Sequence, residues 1–280
     1  MKIAILGVGF LGSKLFDFLS VRYDIVCADL MPKYDHIKEL DATNPQQVEN
    51  FFIKERPNIV IDTIALSSYF ECEKNPNLCR DLNFKTAKNI SESCRKYGSK
   101  MIFISSSYVF DGEKGEYDET DAPNSLNAYA KSKIDAERVV LNLNNSIVIR
   151  LEPIYGFHNE KSQLVFGTNT FENDIQVAFP DIIRRPIFVD DVPRIISILI
   201  KKNLSGIYNL AGPNKLKWYD FLLELSKLVD ASEKIRIVDN SNWILFPPVD
   251  TSLKIKKINL LGIHTTLFIE ALEELKKFIN

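Results

Sequence analysis

Lys2-Ile3-Ala4-Ile5-Leu6-Gly7-Val8-Gly9-Phe10-Leu11-Gly12 opens the chain and decides its fold. Ile3–Leu6 is a short, continuous apolar run, the pattern of a strand buried on both faces. Gly7, Gly9 and Gly12 follow as GxGxxG, and Leu11–Ser20 then reads as a helix. A lone GxGxxG is a weak signal; its place directly after a strand and at the start of a helix gives it weight. Gly7 allows the tight turn, Gly9 lets backbone approach a pyrophosphate, and Gly12 permits close packing of helix on strand. The helix start at Phe10 and Leu11 then faces the anion. The glycines also break the apolar run and no small-residue cleavage site follows, so no secretory leader is expected.

Working outward, Ile25–Ala28, Ile59–Ile64, Met101–Ser105 and Ile147–Leu151 are further buried-strand runs. Between them Pro45–Lys54, Pro76–Tyr97 and Ala128–Leu143 carry helical patterns. Asn44 and Pro45 supply an N-cap and a first-turn proline, and Gly98 a C-terminal stop. Alternating strands and helices imply an α/β fold, a Rossmann-like doubly wound parallel sheet. After about residue 152 the rhythm changes. Tyr155 to Asp181 is loop-like with weak strand content, and Ile187–Val189 is a short apolar run. Asp190–Lys202 reads as a helix returning to the first layer, Ile207–Leu210 as a strand, and Trp218–Val229 and Thr266–Ile279 as helices. Residues 1–154, with 186–204 returning, are expected to form the dinucleotide-binding domain. Residues 155–185 and 205–280 form a smaller C-terminal lobe, expected against the sheet's carboxyl edge.

The 280 residues are 45% hydrophobic and 26% charged, which excludes a disordered or collagenous chain. Lys and Arg number 35 against 37 Asp and Glu, a net charge of −2. Without a basic excess to release counterions, nucleic acid is not an expected partner. Cys27, Cys72, Cys79 and Cys94 show no CxxC spacing and read as free thiols, while His36, His158 and His264 are scattered, so no metal site is expected. Nowhere do 18 apolar residues run together, so no membrane partner is expected and the compartment is expected to be cytoplasmic.

Asp29 ends the second strand run, seventeen residues past Gly12. A carboxylate there bonds adenosine ribose hydroxyls and repels a 2′-phosphate, which favours NADH over NADPH; the alternative is a capping residue, and Lys33 is close enough to receive a phosphate. Asp41 stands where an adenine contact is common in such folds, or caps its own loop. Tyr129 and Lys133 form a YxxxK whose i,i+4 spacing puts phenol and ammonium on one helix face. The cation favours phenolate, so the phenol can exchange a proton with a carbonyl oxygen. Ten tyrosines give about one YxxxK by chance, and Tyr34–Lys38 is this chain's decoy. Tyr129 differs because it follows Ile104-Ser105-Ser106-Ser107, hydroxyls at a strand's carboxyl end, where parallel sheets bind ligands.

Several segments together carry a resemblance: Gly7–Gly12, SSSYVFDG at Ser105–Gly112, Tyr117-Asp118-Glu119-Thr120-Asp121-Ala122-Pro123, and Asn127–Lys133 with Glu137. Arg150–Gly156, Pro186–Asp191 and Gly206–Leu210 extend it. The chain resembles the extended short-chain dehydrogenase/reductases and, among them, the dTDP-4-dehydrorhamnose reductases. The likeness covers nearly the whole length, specific around 105–137 and looser after 156.

The resemblance implies NAD(P)H as cofactor, a nucleotide-sugar substrate, and reduction of the 4-keto group of a nucleotide-linked 4-dehydro-6-deoxysugar. It implies Tyr129 as the acid, Lys133 as its lysine, Ser106 as the catalytic hydroxyl, and Asn83 as holder of a proton-relay water. It also implies Ala65 beside the dinucleotide, Ser106 and Ser107 toward the substrate, and the C-terminal lobe as substrate-binding. Arg184 or Arg185 would meet the diphosphate bidentately, with surface charge as the alternative. Trp218 and Tyr219 either stack on base or sugar or pack the lobe. A homodimer stays open as the assembly. The chain departs from the family in four places. Ser106-Ser107 replaces Thr-Asp, Asp62 replaces Asn or His, Phe70 replaces an acid, and Glu152 replaces a small hydroxyl residue. The alternatives are a nucleotide-sugar epimerase, and a non-catalytic dinucleotide-binding subunit like the regulatory subunit of methionine adenosyltransferase.

Overall fold

The computed structural model describes residues 1–125, 127–158, 163–167, 169–171, 176–237 and 247–279. The chain runs β1 (Lys2–Leu6), α1 (Phe10–Leu19), β2 (Asp24–Asp29), β3 (Ile37–Glu39), α2 (Pro45–Glu55), β4 (Ile59–Asp62), α3 (Tyr69–Lys74), α4 (Pro76–Arg80), α5 (Thr86–Tyr97), β5 (Lys100–Ser106), α6 (Ala128–Leu141) and β6 (Ile147–Leu151). It continues β7 (Ile154–His158), β8 (Gln163–Phe166), β9 (Asn169–Thr170), β10 (Gln176–Ala178), β11 (Ile183–Arg184), β12 (Ile187–Phe188), α7 (Asp191–Lys201), β13 (Gly206–Leu210), β14 (Leu216–Lys217), α8 (Trp218–Ser226), β15 (Ile235–Ile237), α9 (Lys256–Asn259) and α10 (Phe268–Ile279). These elements fall into two compact units. The first takes Met1–Val109, Leu126–Arg150 and Pro193–Tyr208; the second takes Phe110–Ser125, Leu151–Val192 and Asn209–Asn280.

The first unit is built on a seven-stranded sheet in the order β13-β6-β5-β4-β1-β2-β3, in which β1 to β5 pair in parallel. Winding proceeds outward from β1 through β2 and β3, then restarts at β4 toward β5 and β6, so the switch point lies between β1 and β4. Right-handed crossovers put α1 on one face and α2, α5 and α6 on the other. On that second face Ala4, Leu6, Val60, Met101 and Phe103 pack on Phe51 and Phe52 of α2, Ile90 and Cys94 of α5, and Ala136 and Val140 of α6. Ile3 and Ile5 point the opposite way and are equally buried. Coverage on both faces explains why these strands are continuously apolar.

The expected helix signals operate. Asn44 caps α2 by accepting from the Gln46 and Gln47 N–H groups, and α5 ends at Gly98 in the left-handed region. Two readings of this unit change. The helix expected over Pro76–Tyr97 is α4 and α5 joined by a π-helical turn at Asp81–Lys85, and β3 adds an edge strand too short to show a pattern.

In the second unit, β12-β7-β8-β9 form a four-stranded sheet, with two-stranded pairs β10-β15 and β11-β14. The Tyr155–Asp181 stretch, read as loop-like, carries β7, β8 and β9 in an antiparallel ladder, Tyr155 opposite Phe166. Residues 159–162, 168 and 172–175 of that stretch lie outside the described residues. Trp218 stacks on Phe221 at 4.9 Å and joins the core of Tyr155, Phe166, Leu225 and Leu272. Packing the lobe is what Trp218 does here.

Candidate active site

Leu6 is in register with both Ala28 and Asp62, so the Gly7 turn leaves the sheet at the switch point. Gly7 has φ +91°, and a Cβ there would lie 2.9 Å from the Ile64 nitrogen. At Gly12 a Cβ would lie 2.1 Å from the Gly7 carbonyl oxygen. Among the described residues nothing fills the space before Gly9, and no side chain caps α1. A loop tight behind, open in front and backed by an uncapped helix start fits a pyrophosphate. Phe10 is half-buried, and Leu11 turns its side chain into the core.

Asp29 Oδ2 accepts the Val8 N–H at 2.6 Å and Oδ1 accepts the Met31 N–H at 3.1 Å. The carboxylate thus fixes the glycine loop to the end of β2. Asp41 caps its own turn, accepting from the Thr43 N–H at 2.9 Å and the Thr43 hydroxyl at 2.6 Å. Ala65 is exposed just beyond β4. The decoy dissolves: Ile37–Glu39 is a strand, so Tyr34 and Lys38 share no helix face, and Lys38 pairs with Glu55 at 3.3 Å. Thr63 was not singled out from the sequence. Its hydroxyl donates toward the Gly7 carbonyl at 2.5 Å and its N–H to the Leu6 carbonyl at 2.9 Å, locking β4 to the loop. A hydroxyl residue closing a strand was the available signal.

Helix α6 carries the phenol and ammonium. Asn127 caps it through the Ala130 N–H at 2.7 Å, and Glu73 accepts the Ala128 N–H at 2.6 Å. Asparagine before the first helical residue signals the first cap; nothing local signals Glu73. Ser106 stands beside the Tyr129 phenol, and its oxygen accepts the Tyr108 N–H at 3.2 Å. Burial holds the phenol above its ordinary pKa, and the nearby Ser106 hydroxyl works against that. Lys133 donates to the Ile104 carbonyl at 2.9 Å and lies 4.6 Å from the Phe103 ring centre. Burial pushes its pKa down to about 8, with the Asp62 carboxylate opposing most strongly. Ser106, Tyr129 and Lys133 therefore meet at the carboxyl end of β5.

Ser107 is 1% exposed, while its neighbour Ser106 is half-buried. Asn83 is fully buried and bonds both backbone groups of Leu66 and the Ser132 hydroxyl at 3.0 Å. Glu137 forms a buried ion pair with Arg150 at 2.9 Å and accepts from Ser105 at 2.5 Å. That network anchors α6 to β5 and β6.

Of the two arginines, Arg184 is 1% exposed and its guanidinium donates to the carbonyls of Ile183, Val249 and Pro248 at 2.7–2.9 Å, so it clamps its own unit. Arg185 pairs with Glu116 at 2.8 Å and lines a recess of about 480 Å³ with Lys254, Lys256 and Asn259. Glu152 is buried, accepts the Leu253 N–H at 3.1 Å, and is pushed by burial up to about 7 against the pull of Arg184.

Known proteins share this fold. The chain is 27% identical to the dTDP-4-dehydrorhamnose reductase of Aggregatibacter actinomycetemcomitans, over 96% of each chain. It is also 27% identical to methionine adenosyltransferase 2 subunit beta of Xenopus tropicalis, over 83% of this chain and 72% of that protein. The crystal structure of the Bacillus anthracis dTDP-4-dehydrorhamnose reductase in complex with NADP superimposes with a TM-score of 0.84 at 26% identity, covering 98% of both chains. The model of the RmlD substrate binding domain matches residues 1–277. With a glycine loop at the switch point and a match along almost its whole length, the chain belongs to the RmlD substrate-binding-domain family.

Proposed function

We propose that the chain is an NAD(P)H-dependent oxidoreductase that reduces the 4-keto group of a nucleotide-linked 4-dehydro-6-deoxysugar, dTDP-4-dehydrorhamnose being the substrate to try first. The convergence of Ser106, Tyr129 and Lys133 in the unit that holds the glycine loop carries this reading. Gly7, Gly9, Phe10, Leu11 and Gly12 would hold the pyrophosphate, Asp29 the adenosine ribose, and Ala65, Tyr129 and Lys133 the nicotinamide half. Bound there, the reduced nicotinamide supplies hydride to the carbonyl carbon. Tyr129 gives its phenolic proton to the carbonyl oxygen, which the Ser106 hydroxyl also binds. Lys133 stabilises the phenolate as it forms.

We assign residues 1–154 and 186–204 to the dinucleotide half and the remainder to the substrate half; the two compact units divide the chain differently, with Phe110–Ser125 and residues 186–192 in the second unit and 205–208 in the first. Arg185, with Lys254 and Lys256 beside it, is the guanidinium proposed for the substrate diphosphate. Asp29 favours NADH, because its carboxylate at the end of β2 repels a 2′-phosphate.

Absorbance at 340 nm, followed with NADH or NADPH and dTDP-4-dehydro-6-deoxy-L-mannose made in situ, tests the reading. Oxidation dependent on the sugar supports it, and a higher kcat/KM with NADH supports the role of Asp29. One observation favours a second reading: the methionine adenosyltransferase subunit is as similar in identity as the reductase. Dinucleotide binding without turnover of any nucleotide sugar would favour that non-catalytic role.

A further inference from the structure

Asp62 ends β4. Its side chain is 1% exposed; Oδ1 accepts the Ile64 N–H at 3.1 Å, and Oδ2 has no hydrogen-bond partner among the described residues. Side chains two apart on a strand share a face, so Asp62 points the same way as Val60, into the core that α5 and α6 cover. Its register partner on β5 is Phe103, and the Lys133 ammonium lies over that ring. A buried carboxyl and the buried ammonium beside Tyr129 therefore share Phe103 as a neighbour.

We propose that Asp62 is a positioning residue for Lys133, its carboxylate balancing the buried ammonium and keeping it protonated while Tyr129 donates its proton. This rests on the reductase reading. The other groups near Lys133 are the thiols of Cys72 on α3 and Cys79 on α4, with Tyr129 and Glu137 on α6 itself; Cys94 on α5 faces Asp62. Glu137 is already balanced by Arg150 and bonded by Ser105. Asp62 is thus the carboxylate that Arg150 does not neutralise. Burial drives the two groups toward neutrality, Lys133 down to about 8 and Asp62 up to about 6, and each opposes the other's shift. Between those values both are charged. Asp62→Asn removes the strongest influence holding Lys133 protonated, so the ammonium loses its proton at lower pH.

The test is a pH titration of NADH and NADPH affinity by cofactor fluorescence, in wild type and Asp62→Asn, with the pH profile of kcat beside it. The wild-type affinity is expected to fall near pH 8, and the variant's midpoint to move down by about one pH unit. The alkaline limb of kcat should move with it. A merely structural role would weaken binding equally at every pH; an unmoved midpoint overturns the proposal. Should Asp62→Asn not fold, Lys133→Met replaces it. Without the ammonium, Asp62 titrates higher still, so the Tm deficit of Lys133→Met against wild type should grow from pH 5.5 to 8. An equal deficit at both pH values overturns the proposal. A shifted binding midpoint in a protein that reduces no nucleotide sugar supports the charge balance while defeating the reductase reading. Intact turnover with an unmoved midpoint does the reverse.

Discussion

Asn83 and Leu66 exchange two hydrogen bonds: the Leu66 N–H donates to Asn83 Oδ1 at 2.8 Å, and Asn83 Nδ2 donates to the Leu66 carbonyl at 3.1 Å. Asn83 sits in the π-helical turn and Leu66 in the chain leaving β4. The same amide reaches Ser132 on α6. One side chain therefore ties the end of the cofactor-side strand to the helix that carries Tyr129 and Lys133.

Asn83→Ala leaves the Leu66 N–H without this acceptor, while the Leu66 carbonyl keeps the Cys72 thiol at 3.3 Å. A buried unsatisfied group costs about 1–3 kcal/mol, so a loss in that range is expected. Urea denaturation with an unchanged m-value would show it as a lower midpoint.

The Glu137–Arg150 pair is buried on both sides, with side-chain exposures of 3% and 2%. Glu137→Ala removes the buried carboxylate that balances the guanidinium and is expected to cost about 3–5 kcal/mol. A Glu137→Met, Arg150→Met double variant should recover part of that loss, because no uncompensated charge remains. Thermal melts of the two variants decide it.

The glycine loop separates two kinds of constraint. Gly12→Ala forces a methyl group against the Gly7 carbonyl and should lower both Tm and dinucleotide affinity. Gly9→Ala meets open space, so its Tm should stay near wild type while affinity falls about tenfold, the methyl standing where phosphate must approach. Cofactor fluorescence titration alongside thermal melts reads both effects.

Glu152 gives a pH prediction. Its pKa is raised from an ordinary 4.5 to about 7 by burial, so the native state holds the proton more tightly than the unfolded chain. That contribution is complete below pH 4.5 and is lost as pH rises through about 7. Glu152→Gln removes the loss, so relative to wild type it should gain on the order of 1 kcal/mol or more between pH 5 and pH 8. Denaturation at the two pH values tests the sign.

The first unit was legible because its signals are local. A strand covered on both faces is continuously apolar, as Ile3–Leu6 and Met101–Ser105 are, and Asn44, Pro45 and Gly98 mark helix ends by their own chemistry. β3 spans three residues, below any readable period, and the extra residue of a π turn leaves no mark in composition. The sheet of β7, β8 and β9 shows in the sequence only as weak strand content in a loop-like stretch, because its strands are short and interrupted by Gly156 and Gly167. At the site, Tyr129, Lys133 and Ser106 announce themselves by spacing and by place after a strand. What Arg184 or Asp62 does depends on partners far along the chain, Val249 and Lys133, which no local pattern reveals.

The central claim is that the phenol of Tyr129 protonates a carbonyl oxygen while dinucleotide binding rests mainly on the glycine loop. Tyr129→Phe removes the proton and keeps the ring among Tyr108, Cys72 and Cys79. The direct measurement is the rate of sugar-dependent NAD(P)H oxidation at 340 nm in wild type and Tyr129→Phe, at matched cofactor saturation. The account predicts a loss of about 100-fold or more in kcat with dinucleotide affinity changed by less than about tenfold. Turnover retained at the wild-type rate in Tyr129→Phe would contradict it.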